Sequence, residues 1–218
     1  MNAKTNYQKL LDGKIASLNG RVPRLLLHVC CAPCSSYVLE YLSRYFEITV
    51  FYYNPNIEPE NEYRFRAAEE QRFITEITPL HPVHFTEGAY EPHRFHEAAK
   101  GLEAEREGGT RCTECFKLRL YEAAKACRDG GYDYFTTTLT ISPLKDADRL
   151  NRIGEEAAKE LGVRWLPCDF KKKGGYLRSI ELSREHNLYR QNYCGCVYSK
   201  AESLNRAQHQ ESSSQENP

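Results

Sequence analysis

The 218-residue chain has no net charge, no apolar leader and no apolar run long enough to span a bilayer. Lysine plus arginine number 30, and so do aspartate plus glutamate, so the overall charge argues neither for nor against a polyanionic partner. Because a leader and a spanning run are both missing, we expect a cytoplasmic protein with no membrane partner. The length suits one domain with a substantial core.

A glycine-rich phosphate loop is also absent after the first predicted strand, where a nucleotide-binding α/β protein would need one. Cysteines occupy that turn instead, so ATP is not expected as a cofactor. The chain has nine cysteines in all. In a reducing compartment, clustered cysteines are more often ligands or catalysts than structural disulfides, and the odd number argues against a complete disulfide framework.

Apolar runs that alternate with helical patterns predict an α/β domain, with a mostly parallel sheet flanked by helices. Strands are expected at residues 25–29, 47–53, 82–85, 133–140 and 163–167. Leucines and an isoleucine at helical spacing near the N-terminus predict an amphipathic helix on the outside of the domain. The predicted organisation is an N-terminal helical extension (1–21), a catalytic α/β domain (22–206) and a disordered polar tail (207–218).

Two cysteine groups lie far apart in the sequence. Cys30, Cys31 and Cys34 follow the first predicted strand, at the sheet edge where α/β folds place their chemistry. Cys112 and Cys115 begin a predicted helix and lie on one face of it, so both can reach one metal centre. Thiolates from two segments suit either a tetrahedral zinc ion or an iron–sulfur cluster, and unligated core cysteines are the third alternative.

The pair Cys194 and Cys196, separated by Gly195, forms a third group. A disulfide across one residue closes a strained ring that is easily reduced, so this spacing predicts a redox-active pair. The alternative is that both thiols are additional metal ligands. Cys127 and Cys168 are expected to be ordinary core residues.

Six sequence blocks follow one another between about residues 24 and 200: Leu25–Ser35, Tyr53–Ile57, Arg111–Cys115, Thr138–Lys145, Asp169–Lys172 and Tyr189–Cys196. Together they resemble the QueH type of epoxyqueuosine reductase. The resemblance implies reduction of the epoxide of epoxyqueuosine, already installed at the tRNA wobble position, to the cyclopentene of queuosine, the last step of queuosine synthesis. It also implies a cobalamin-independent, iron–sulfur-dependent enzyme with a fold related to nucleotide-binding, HUP-like α/β units.

The resemblance assigns site residues as well. Four cysteines would hold a [4Fe-4S] cluster: Cys30, Cys31, Cys112 and Cys115. Two would form a redox-active disulfide: Cys194 and Cys196. It leaves open a second metal ion beside the cluster, the electron donor, the oligomeric state, the order of electron and proton transfer, and the roles of Cys34, Asp146 and Asp169.

Removing the epoxide oxygen as water requires two electrons and two protons, and a proton donor or Lewis acid eases cleavage of the carbon–oxygen bond. The candidate proton donors or extra ligands are His28, Asp146, Asp169 and Tyr193, each with a structural role as the alternative. For tRNA phosphates, the most basic neighbourhood is Lys171–Lys173 with Arg178, Arg184 and Arg190, although any one lysine could equally be a solvated surface group.

Two other classes of function fit part of the pattern. A zinc-stabilised RNA-binding module would need the metal-binding cysteines but would tolerate the loss of Cys194 and Cys196. A dithiol oxidoreductase acting on proteins would need Cys194 and Cys196 but would tolerate the loss of Cys30 or Cys112. Visible absorption of an anaerobic preparation separates these alternatives from an iron–sulfur enzyme.

Overall fold

The computed structural model describes residues 5–215, which form four strands and eight α-helices. The strands are β1 (Arg24–Val29), β2 (Glu47–Tyr52), β3 (Val83–Glu87) and β4 (Tyr134–Thr137). The helices are α1 (Tyr7–Ala16), α2 (Ala32–Leu42), α3 (Glu60–Glu76), α4 (Pro92–Ala99), α5 (Thr110–Asp129), α6 (Ala147–Leu161), α7 (Gly175–Glu185) and α8 (Val197–Gln215). Within this described part, none of the helices has the length and apolar character needed to cross a bilayer.

All four strands are parallel and lie in the order β3-β2-β1-β4. Strand β1 is central and buried from Leu25 to Val29, as the apolar run predicts for a strand covered on both faces. Successive strands progress outward on one side of β1, whereas β4 returns to its other side. Between β1 and β4 the sheet therefore has a switch point, and such sheets bind ligands at the carboxyl ends of these strands. The α/β prediction is confirmed, while a relation to nucleotide-binding folds stays a prediction.

The fourth strand is shorter than predicted. It ends at Thr137 and gives way to a 3-10 helix, Thr138–Ile141. The Oγ1 atom of Thr137 accepts a hydrogen bond from the backbone N–H of Leu139 at 3.2 Å. This bond stabilises a turn where the hydrogen bonds of the strand would otherwise continue. The turn directs the following residues, 141–145, to the wall of a cavity at the end of β1.

The predicted fifth strand, residues 163–167, is reduced to a single parallel bridge between Trp165 and Phe135 of β4. The N–H of Phe135 donates to the carbonyl of Arg164 at 3.0 Å, and the N–H of Leu166 donates to the carbonyl of Phe135 at 2.9 Å. The next ladder bond would come from the N–H of Cys168, but that group donates to Oδ1 of Asn151 at 3.0 Å, so the ladder does not continue.

The two ends of the chain behave differently from each other. Helix α1 buries Leu11 against the domain, and Tyr7 donates to Asp148 of α6 at 2.7 Å, which confirms the predicted amphipathic helix. Helix α8 extends to Gln215 and so includes most of the tail from residue 207, whose predicted disorder stays a prediction. Residues 1–4 and 216–218 lie outside the described part, and the three domain boundaries stay predictions.

Candidate functional site

The turn between β1 and α2 brings Cys30, Cys31 and Cys34 together, with their Sγ atoms all within 4.8 Å of one another. We call these residues the cysteine triad. Cys31 is the N-cap of α2, and Pro33 lies in the first turn of that helix, so Cys34 is folded back to the same side. The sulfurs of Cys30 and Cys31 are 3.7 Å apart. Three soft thiol ligands at one point suit a metal ion that prefers sulfur.

The thiol of Cys30 loses its proton more easily than those of Cys31 and Cys34. Hydrogen bonds from Cys31 and Cys34 hold the pKa of Cys30 well below its usual value. The same hydrogen bonds raise the pKa of Cys31 to about 12 and also raise the pKa of Cys34. The N-terminus of α2 adds a field that favours negative charge. Cys30 is therefore the member of the triad that ionises most easily.

A second group of four cysteines lines a small cavity of about 10 Å³; its members are Cys112, Cys115, Cys194 and Cys196. We call it the α5 group, because its first two members lie on the first turns of α5. Burial raises the pKa of Cys115 to about 12, and it raises those of Cys112 and Cys196 as well. The structure thus places two predicted cluster ligands beside the predicted redox pair.

The turn at Gly195 is fixed by contacts from outside it. Arg66 of α3 donates from Nη1 to the carbonyl of Cys194 at 3.2 Å, and the N–H of Glu58 donates to the carbonyl of Gly195 at 3.1 Å. Gly195 has φ +123°, and a Cβ atom there would lie 2.9 Å from Cγ1 of Ile57. Both the backbone conformation and the lack of space require glycine.

All nine cysteines are free thiols, so the predicted disulfide between Cys194 and Cys196 is not found. The Sγ of Cys196 instead lies 3.4 Å from both the hydroxyl and the backbone N–H of Ser199, in the first turn of α8. These hydrogen bonds give the thiol a partner other than Cys194. Redox cycling of the pair stays a prediction. Cys127 and Cys168 are fully buried, as expected of core residues.

A cavity of about 350 Å³ opens over the cysteine triad. We call it the main cavity; residues 141–145 and 190–193 complete its wall. Cys194 lines both this cavity and the small cavity of the α5 group. Lys145 also lines the main cavity; burial acts to lower its pKa, but the sulfurs of Cys194, Cys30 and Cys34, when negatively charged, raise that pKa overall. The main cavity therefore has a lysine beside its thiols.

His28 has a structural role. Its Nδ1 lies 2.9 Å from Oγ1 of Thr137, and its Nε2 lies 3.1 Å from the carbonyl of Tyr53. Because a carbonyl only accepts, Nε2 carries the proton. Burial lowers the pKa of His28 to about 3, so the ring is neutral and links three segments of the sheet.

The other candidate acids differ in their surroundings. Asp146 caps α6 by accepting from two backbone N–H groups, and Asp169 pairs with Lys171 at 2.5 Å, so both carboxylates have structural partners. Tyr193 lines the main cavity and packs 5.2 Å from the guanidinium of Arg66. Burial raises the pKa of Tyr193, so this phenol keeps its proton at neutral pH.

The predicted basic run divides into paired and unpaired lysines. Lys171 is bound to Asp169, and Lys173 is bound to Asp12 of α1 at 2.8 Å. Lys172, which lines a surface cavity next to the main one, has no ion-pair partner within residues 5–215. Of the three lysines, Lys172 is thus the one left free to meet a phosphate.

Sequence reasoning gave no role to two residues of this site. Cys34 follows Cys31 by three residues. The sequence did not show that Cys31 is the N-cap of α2, and it is this position that brings the side chains of Cys31 and Cys34 together. Arg119 lies one turn after Cys115 on α5 and is only 1% exposed among the cysteines. The i+4 spacing from Cys115 was the available signal, although nothing in the sequence showed that this face is buried.

Comparison with known proteins matches this site to one family. The family model described as epoxyqueuosine reductase QueH matches residues 25–202. Epoxyqueuosine reductase QueH of Staphylococcus epidermidis is 45% identical over 203 residues, which cover 90% of this chain and 85% of that protein. The protein of the same name from Streptococcus pyogenes is 43% identical over 90% of this chain and 79% of its own length. That from Thermotoga maritima is 34% identical over 82% of this chain and 91% of its own length. Since the matched segment contains both cysteine groups and the walls of the main cavity, the chain belongs to the QueH family of epoxyqueuosine reductases.

Proposed function

We propose that this protein reduces the epoxide of epoxyqueuosine in tRNA to the cyclopentene of queuosine. The observation that carries the proposal is the family match across residues 25–202, which contains seven cysteines in two groups, three in the triad and four in the α5 group. The groups meet at Cys194 on the wall of a cavity large enough for part of a nucleoside. Thiols can supply the electrons and protons of a reductive carbon–oxygen cleavage, and a cation in the same site stabilises the negative charge that develops on oxygen.

The proposed cofactor is a [4Fe-4S] cluster held by Cys30, Cys31, Cys112 and Cys115. An all-thiol donor set suits iron–sulfur chemistry, and the buried Nη2 atom of Arg119, which has no hydrogen-bond partner within the described residues, fits a bound anionic group. When bound, such a cluster supplies electrons one at a time. The chain's residues then have to hold the substrate and provide protons.

Cys34 competes with Cys112 for the role of ligand, because Cys34 completes the triad and Cys112 does not belong to it. Iron and sulfide content decides between them. If the proposed set is right, Cys112→Ser loses most of its iron and sulfide while Cys34→Ser keeps them. The opposite result would transfer the site to the triad and remove the α5 thiols from the ligand set.

The proposed two-electron couple is the dithiol of Cys194 and Cys196. Closing it to a disulfide releases two electrons and two protons, which equals what is needed to convert the epoxide to an alkene and water. Cys194 faces the main cavity, and Gly195 gives the turn the backbone freedom to close. An external reductant, not identified by the site, has to restore the dithiol after each turnover.

Two groups on the main cavity are placed to assist bond cleavage. Lys145 carries its positive charge beside the triad, where it stabilises the alkoxide that develops as the epoxide opens. Tyr193, which keeps its proton at neutral pH, lies on the same wall and can deliver a proton to that oxygen. Lys172 on the neighbouring surface is the proposed contact to a tRNA phosphate.

The test is conversion of epoxyqueuosine in tRNA by the anaerobically prepared, reduced protein, followed by nucleoside analysis. We expect a brown preparation that forms queuosine, with one equivalent formed in the absence of further reductant. A colourless protein that contains zinc and binds tRNA without converting it would favour an RNA-binding module. A colourless protein that exchanges thiols with protein disulfides would favour a dithiol oxidoreductase.

A further inference from the structure

Arg119 is a buried cation without an anion. Its side chain is 1% exposed; Nε donates to the carbonyl of Cys115 at 3.3 Å, and Nη1 lies 3.5 Å from Oδ1 of Asn54. Nη2 has no hydrogen-bond partner within the described residues. Both of the partners it has are neutral, so the charge of the guanidinium is not balanced by them.

The other two fully buried arginines are balanced by carboxylates. Arg66 pairs with Glu62 at 2.7 Å, and Arg111 pairs with Glu202 at 3.2 Å. Within residues 5–215, no carboxylate pairs with Arg119. A guanidinium does not lose its proton in a protein, so burial without a counter-ion is costly and some other negative charge has to offset it.

The surroundings of Arg119 identify that negative charge. Arg119 lines the small cavity of the α5 group together with Cys112, Cys115, Cys194 and Cys196. One of these residues, Cys194, also lines the main cavity beside the triad. The guanidinium therefore faces a cavity lined by cysteine sulfurs, two of which are proposed cluster ligands.

Asn56 is a second residue with unused hydrogen-bonding capacity at this point. It is 1% exposed, and neither the nitrogen nor the oxygen of its amide has a partner in the described structure. Asn56 and Arg119 both line the small cavity of the α5 group. Buried polar groups are nearly always hydrogen-bonded, so the free Nη2 of Arg119 and the unpartnered amide of Asn56 on one cavity indicate a bound group that takes up these hydrogen bonds.

We propose that Arg119 and Asn56 stabilise the extra negative charge that a thiolate-bound cluster gains on reduction, and that Arg119 thereby sets its reduction potential. This inference rests on the proposed cluster. An added electron makes the bound group more negative by one unit, and a fixed cation with hydrogen-bond donors stabilises the reduced form more than the oxidised form. Both residues act through the cluster and are positioning residues, not catalytic ones.

The test is a spectroscopic redox titration with dithionite of the cluster-containing protein. Arg119→Gln removes the charge and is expected to lower the midpoint potential so that the reduced fraction at a fixed potential falls about tenfold, which equals about 59 mV for a one-electron couple. Arg119→Lys keeps the charge and should shift it by less than half as much. Asn56→Ala should reduce that fraction by about threefold.

The matched control is Lys117→Gln, which removes one positive charge from the same helix at a side chain that is 44% exposed and paired with Glu114. We expect no shift from it, since solvent screens that charge. A potential unchanged in Arg119→Gln, with normal iron and sulfide, would overturn the inference. If that variant fails to hold iron, the titrations of Arg119→Lys and Asn56→Ala decide, and wild-type potentials in both would overturn it.

Failure of this inference differs from failure of the proposed function. A brown wild-type protein that does not convert epoxyqueuosine, but whose potential depends on Arg119, would refute the reaction and keep the inference. If the wild-type protein converts epoxyqueuosine but its potential is the same as that of Arg119→Gln, the reaction stands and the inference is refuted.

Discussion

The cysteine triad comes from five consecutive residues at one strand–helix turn, whereas the α5 group joins the start of a helix to a turn that follows α7. The backbone of β1 and the N-cap of α2 set the geometry of the triad. The α5 group depends on contacts from elsewhere, because Arg66 and Glu58 hold the turn at Gly195 through two backbone carbonyls.

This difference bears on what each group can do. A strand end in the middle of a sheet is among the most stable places in a domain, which suits a group that has to hold a metal without moving. A turn held by a few contacts can rearrange without disturbing the sheet, which suits thiols that change partner. From this comparison we expect rigid binding at the triad and movement at Cys194 and Cys196.

The sharpest test of this assignment is Cys196→Ser. We expect turnover of epoxyqueuosine in tRNA to fall by about 10³-fold or more, because the dithiol can no longer close, while iron content and colour stay normal. Cys127→Ala, which alters a buried cysteine outside both groups, should leave turnover intact in the folded protein. Loss of colour in Cys196→Ser would make this residue a ligand, and retained turnover would make it a bystander.

The support beneath the triad can be tested through Glu70 of α3. Its carboxylate is buried, accepts from Ser35 at 2.8 Å, and has its pKa raised to about 8 by burial. In the unfolded chain the pKa is near 4.5. The contribution of Glu70 to the free energy of unfolding is therefore greatest below pH 4.5. It falls by on the order of 2–4 kcal/mol as the pH rises towards 8.

Glu70→Gln should remove this pH dependence, which urea unfolding of the metal-free protein at several pH values would measure. Glu60→Gln serves as the control, because it changes a carboxylate on the same helix that is 62% exposed and should leave the dependence in place. A wild-type protein equally stable at pH 5 and pH 8 would contradict the buried ionisation.

The geometry of the α5 group can be disturbed at Gly195. Gly195→Ala should lower stability by about 1–3 kcal/mol and turnover by at least about tenfold, since φ is +123° and Ile57 occupies the space of the new methyl group. Gly20→Ala, at φ +79° with nothing within 4 Å, should cost only about 1–2 kcal/mol and leave turnover unchanged. Equal turnover in the two variants would show that the turn does not need this shape.

The smallest effect is expected outside both groups, at Lys172. Lys172→Ala should reduce the salt dependence of tRNA binding by about one unit of slope, because it removes one phosphate contact. Lys173→Ala should change the slope little, since Asp12 already binds that lysine. Binding measured by fluorescence anisotropy at several salt concentrations tests both, and a slope unaffected by Lys172→Ala would place this residue in bulk solvent.

Local pattern predicted the central parts of the fold and failed where distant partners decide. The apolar run at Leu25 and the helical spacing of Cys112 and Cys115 depend on neighbours in sequence, and both predictions hold. The end of β4 depends on a hydrogen bond that the Thr137 side chain accepts, and the loss of the fifth strand depends on Asn151, which accepts from the N–H of Cys168, so neither follows from β-propensity. The placement of Arg119 on the small cavity of the α5 group depends on the assembled sheet.

The position of Cys194 on the wall of both cavities has a kinetic consequence. If the pair cycles and the main cavity receives the tRNA, the disulfide formed at each turnover lies on the wall of that cavity, because Cys194 lines it. A reductant then has to use the same opening as the tRNA, so the two cannot be bound at the same time. Such an enzyme works in alternation, and its initial rates should give the parallel double-reciprocal lines of a ping-pong mechanism.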